Sequence, residues 1–97
     1  MKVLTVVSAT VSADRATELV ERFDELLKSP TPDGLLRTEL VRGDDDEWRI
    51  QTLWRDREAL AAMRAAADPP AAPALFRSVG AEPSLAIFAV EREHPTD

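Results

Sequence analysis

The chain of 97 residues has no cysteine, no tyrosine and no asparagine, and its single histidine is His94. Without Cys there are no disulfides, no thiolate nucleophile, no Cys-ligated zinc and no iron–sulfur cluster. One His, four residues from the end of the sequence, supplies neither a multi-His metal site nor the imidazole of a triad held in a core. Positive charge is scarce as well. Twelve Lys+Arg face eighteen Asp+Glu, for a net charge of −6, which excludes the basic footprint that a nucleic-acid binder needs. No apolar run approaches the roughly 20 residues of a membrane span. The start, MKVLTVVSATVSA, has the Lys and small residues of a secretory signal. Its apolar stretch, however, is only about seven residues long and alternates with Thr and Ser as a strand does. The expected location is the cytoplasm.

What remains is 44% apolar, too much for a disordered acidic tail, and the length suits one domain. We assign that domain to residues 1–93 and a frayed tail to residues 94–97. Lys2 to Val11 reads as a strand, β-branched and apolar on both faces: Val3, Val7, Ala9 and Val11 on one, Leu4 and Val6 on the other. Ser12 is a candidate N-cap for a helix over Ala13 to Lys28. Its apolar residues Ala16, Leu19, Val20, Phe23, Leu26 and Leu27 recur at a spacing of three and four. Pro30 and Pro32 stop it, and SPTPDG is a loop.

Leu35 to Arg42 and Glu47 to Arg55 alternate with period two around GDDD, which predicts a hairpin. Polarity sets the register. Leu36, Thr38 and Leu40 face Trp54, Thr52 and Ile50 on a surface that also carries Trp48. The reverse surface holds Arg37, Glu39, Arg49, Gln51, Leu53 and Arg55. Asp56 is the N-cap candidate of a second helix, Arg57 to Ala67, which points Leu60 and Met63 inward, and DPPAAP ends it. A short helix, PALFRSV, starts at Pro73 and closes at Gly80. Ser84 to Arg92 reads as a final, largely buried strand. The order β-α-β-β-α-(short helix)-β defines a ferredoxin-like α+β fold, a four-stranded antiparallel sheet with its helices on one face.

In DGLLRTELVR, EWRIQTLWRDREALAAMRA and PALFRSVGAEPSLAIFAVE the chain resembles the antibiotic biosynthesis monooxygenase (ABM) family of the dimeric α+β barrel superfamily. The resemblance runs from Lys2 to Glu93. It implies a homodimer and a pocket between sheet and helices that takes a small aromatic ligand. Some members of that family oxidise aromatic polyketide phenols without a cofactor; others degrade haem. The oxygenases pair a strand-three Trp with an Asn four residues earlier. Trp54 matches the Trp, and Ile50 stands at the Asn position. His94 does not match the haem ligand of the haem-degrading branch.

The resemblance implies a small monooxygenase acting on a phenol, anthrone or hydroquinone, with no cofactor and no metal. Trp54, Ile50, Leu60, Met63 and Phe76 are the candidate substrate-binding residues and Arg77 the candidate catalytic one. Trp54 reads either as core or as an aromatic wall. Arg77 reads either as a surface cation or as the partner of a phenolate or enolate. Asp44, Asp45, Asp46 and Glu47 offer too few oxygens, and from one direction, whereas a hard cation needs about six to eight wrapped around it, so they read as a solvated loop. Two further readings stay open: a non-catalytic binding module and a cyclase or isomerase using the same pocket.

Assembly follows from coverage. Both β-α-β crossovers are right-handed and return to one side of the sheet. The other face would then expose apolar side chains beside Arg37, Glu39, Leu53 and Arg55, which predicts a two-fold homodimer.

Overall fold

The computed structural model describes residues 1–67 and 70–95. Strand β1, Val3–Thr10, alternates between buried and half-buried side chains. Val3, Thr5, Val7 and Ala9 face the helices, while Leu4, Val6 and Ser8 lie on the reverse surface. It pairs with β3 (Glu47–Trp54) on one side and β4 (Ser84–Ala89) on the other, and β2 (Leu35–Arg42) extends the sheet beyond β3. The order β2-β3-β1-β4, antiparallel throughout, is the ferredoxin-like α+β sheet that the order of elements predicts. No helix among the described residues is long and apolar enough to cross a membrane.

The first helix is shorter than its apolar period suggests. Ala13–Arg15 form a 3₁₀ turn, and α1 runs Ala16–Leu26. Ser12 caps with its backbone alone: its carbonyl accepts from the Arg15 N–H at 2.9 Å. Leu19 and Phe23 are buried, while Val20 and Leu27 are exposed, so the packed stripe is narrow. Helix α2, Arg57–Ala66, starts as expected, with Asp56 Oδ1 accepting from the Ala59 N–H at 2.8 Å. In the connector DPPAAP, Asp68 and Pro69 lie outside the described residues, as do Thr96 and Asp97 of the expected tail. Helix α3, Ala71–Ser78, begins before Pro73. The proline takes the third helical position, where an N–H would have no intrahelical partner. Gly80, at φ 77°, closes α3, and the Ala81 N–H returns to the Phe76 carbonyl at 3.0 Å.

Two further expectations need correction. Leu35, not Leu36, faces Trp54. An irregularity between Leu35 and Arg37 inserts one residue and turns Leu36 out to 48% exposure, while Thr38 still faces Thr52 and Leu40 faces Ile50. Strand β4 is not largely buried: Leu85, Ile87 and Phe88 are all exposed. It is an edge strand, with a neighbour on one side only. The turn between β2 and β3 bends at Asp45 and Asp46, φ 56° and 62°. Aspartate tolerates that left-handed region better than most residues.

The core has two parts. Phe76, Leu19, Ile50, Val7, Val11 and Trp48 belong to one, and Val3, Trp54, Ala59 and Leu60 to the other.

Candidate ligand cavity

Three rows of side chains cross the helix-facing surface of the sheet. Strand registers place Leu40, Ile50, Val7 and Leu85 in one row, and Thr38, Thr52, Thr5 and Ile87 in the next. Leu35, Trp54, Val3 and Ala89 form the third. Over this floor lies a cavity of about 490 Å³. Phe23 and Leu26 of α1, Leu60, Met63 and Arg64 of α2, and Arg77 of α3 close its sides, with Pro30 and Pro32 from the loop after α1.

The middle row is hydrogen-bonded. Trp54 Nε1–H donates to Thr5 Oγ1 at 3.1 Å, and the Thr5 hydroxyl reaches the Thr52 carbonyl at 3.4 Å. Thr52 Oγ1 and Thr38 Oγ1 are 2.9 Å apart. Trp54 is only 3% exposed, packs with Val3, Ala59 and Leu60, and lines the cavity as well. The core and wall readings of this residue therefore describe two sides of one ring.

Of the other sequence candidates, Ile50, Leu60, Met63 and Arg77 line the cavity. Phe76 does not: it is fully buried beneath α3 in the core. Successive helical residues point about 100° apart, so Phe76 turns to the sheet as Arg77 turns outward. Trp48 is also core, with the Arg42 guanidinium 5.0 Å from its ring centre and no partner for its Nε1–H among the described residues. His94 is exposed and does not line the cavity. Among the described residues no cluster of three metal-ligating side chains occurs, Asp44 to Glu47 included.

The charge at the cavity is the reverse of the chain's. Among the described residues its lining holds Arg64 and Arg77 and no Asp or Glu, on a protein of net charge −6. Neither Arg forms an ion pair among the described residues. Elsewhere carboxylates are held by cations. Hydrogen bonds from Arg15 and Arg22 hold Glu18 below the usual carboxylate range. Arg64 and the three threonines were not among the candidates. The available signal was their period: Thr38 and Thr52 share the Trp54 face, and Arg64 follows Leu60 by one helical turn.

This sheet, helix arrangement and cavity define the ferredoxin-like ABM fold. The sequence profile of the antibiotic biosynthesis monooxygenase family matches residues 3–69, and the chain belongs to that family. No curated protein sequence matches it. Among solved structures it is similar to SnoaB, a cofactor-independent oxygenase from Streptomyces nogalater, in an Asn→Ala variant. The TM-score is 0.70, with 22% identity and 98% of both chains covered. It is similar also to the haem-degrader MhuD of Mycobacterium tuberculosis, solved with two haems bound in its active site. That TM-score is 0.72, with 28% identity over 94% of this chain and 97% of the other. Haem iron takes His, Cys, Tyr or Met as protein ligand. Among the described residues the lining offers Met63 alone, so these residues do not fit a haem of the His-ligated kind.

Proposed function

We propose that this protein is a homodimeric, cofactor-independent monooxygenase that oxidises a planar, electron-rich aromatic: a phenol, anthrone or hydroquinone. One observation carries the reading. An apolar cavity with an aromatic side chain in its wall has two guanidinium groups as its only charged lining among the described residues. Such a site favours the phenolate or enolate over its neutral parent. The anion is electron-rich enough to reduce dioxygen itself. For an anthrone the balance is simple: the ring CH₂ becomes C=O, one oxygen atom enters the quinone and the other leaves as water. Trp54, Ile50, Leu60 and Met63 orient the rings and exclude water, and Arg77 faces the oxyanion. Among the described residues the lining has no His, Asp, Glu, Lys, Tyr or Cys to act as base, and in this reading the substrate proton passes to solvent.

Oxygen uptake with anthrone tests this. One O₂ consumed per anthraquinone formed, faster than without protein, is expected. The absence of a lining base among the described residues, together with Ile50 at the family's Asn position, favours a second reading, a binding protein without turnover. Quenching of Trp fluorescence by anthrone with no uptake above the spontaneous rate would decide for that reading.

A further inference from the structure

We infer that the Thr38–Thr52 hydroxyl pair recognises the ligand by donating a hydrogen bond to an oxygen on its ring system, an inference that rests on the aromatic-ligand reading of the cavity. A threonine hydroxyl has one proton to give and two lone pairs to receive with. The Thr5 proton is committed to the Thr52 carbonyl, and its lone pair takes the Trp54 Nε1–H. Thr38 and Thr52, at 2.9 Å, share a single bond in which either is the donor. Whichever way it runs, one of the two protons is left over.

That proton lacks an acceptor in the wall. Thr52 is 7% exposed and Thr38 is half-buried, so bulk water is shut off from the first and restricted at the second. Both hydroxyls line the cavity, and among the described residues the lining holds no carboxylate, side-chain amide or imidazole to receive it. A buried donor left unpaired is costly. A ligand oxygen satisfies it, whereas a pure hydrocarbon leaves it unpaired. The pair sits in the middle row of the floor, between Ile50 and Val7 on one side and Trp54 and Val3 on the other. A planar ligand lying across that floor would bring a central ring oxygen to the hydroxyls and keep its apolar edges on the flanking rows. Because the bond between the two threonines can reverse, the free proton is available from either oxygen.

Cross-strand Thr pairs also stabilise sheets that bind nothing, so the test must follow the ligand's oxygen. Binding is measured anaerobically by Trp fluorescence, with anthrone and with 9,10-dihydroanthracene, which has the same three-ring frame without the carbonyl. The readout is the ratio of the two affinities, which removes any general loss of packing. In Thr38→Val/Thr52→Val the ratio should fall about five- to tenfold, the worth of one net hydrogen bond. Thr38→Ser/Thr52→Ser should restore it. Each single valine variant should keep most of it, because one free hydroxyl remains. Should the double valine chain not fold, Thr38→Ala/Thr52→Ala gives the same readout. An unchanged ratio in the double variant overturns the inference and leaves the cavity reading intact. Complete loss in one single variant overturns the shared-proton arrangement. Binding of neither probe by the native chain overturns both this inference and the proposed function.

Discussion

Trp54 joins stability and binding in one side chain. Its ring is packed on Val3, Ala59 and Leu60 while its other side meets the cavity. Trp54→Ala should therefore cost about 3 kcal/mol, the low end for a buried aromatic, because part of its surroundings is already empty. Trp54→Phe keeps most of the body but removes the donor to Thr5, and should cost about 1–2 kcal/mol. Denaturant titration of the two variants measures both. Arg77 behaves oppositely. It is exposed and unpaired among the described residues, so Arg77→Ala should melt with the native chain yet lose turnover. Arg77→Lys should lose most of it too, since a point charge lacks the planar fork. Turnover unaltered in both variants would remove Arg77 from the mechanism. Why Trp54, Ile50, Leu60 and Met63 were legible from sequence is plain: period two on a strand and period 3.6 on a helix aim apolar side chains inward. Phe76 went astray because adjacent helical residues diverge. The pairing of Thr38 with Thr52 was legible from polarity, but not their place in the site, because a hydroxyl in a strand reads as β-propensity until the β1 register sets Thr5 beside them.

At the level of elements, ends were legible where a side chain does the capping and illegible where the backbone does. Asp56 accepts the Ala59 N–H, and that bond holds its carboxyl below the usual carboxylate range, with Arg55 adding to it. A depressed folded pKa stabilises above the unfolded value and is lost as pH falls through the folded one. The native chain should accordingly out-melt Asp56→Asn at pH 7. The gap should narrow below about pH 4, where an ordinary Asp carboxyl protonates, and close at lower pH. A gap that persists to pH 2 would exclude the carboxylate as its source. The irregularity at Leu36 had no signature, since two adjacent leucines give no polarity contrast to fix which faces inward. Gly34 is required where β2 begins. It has φ 84°, and an added Cβ would run into the Cβ of Ala59 on α2. Its carbonyl also accepts the Arg55 N–H at 2.8 Å. Gly34→Ala should destabilise by more than about 1 kcal/mol and push α2 away from the sheet, with a shifted Tm as the measure.

Strand order and the helix-free surface were readable from the succession of elements, but the exposure of β4 was not, because an apolar strand reads as buried until its edge position in the sheet is known. The helix-free surface of the sheet carries Leu4 and Val6 of β1, Leu53 of β3, and Ala86 and Phe88 of β4. Phe88 is 52% exposed. Toward β2 the same surface carries charge that is internally balanced: Arg37 pairs with Glu39 at 3.3 Å and Arg49 with Glu47 at 3.2 Å. Two chains of net charge −6 would repel one another over most of their surfaces, yet here the local charges cancel beside an apolar strip. A surface of that kind is costly in water and suits a self-complementary, two-fold contact. In the proposed assembly Ala86 and Phe88 of β4 would be buried at the contact, while Leu85 and Ile87 stay on the cavity side. In the proposed C2 homodimer the sheets pack face to face while each cavity stays on its own helix side. Phe88→Glu would put two like charges near the two-fold contact of a dry interface, where an unpaired buried charge is strongly unfavourable. Sedimentation at micromolar concentration should show a dimer for the native chain and a 10.7 kDa monomer for the variant. A native chain that sediments as a stable monomer would refute the face-to-face assembly.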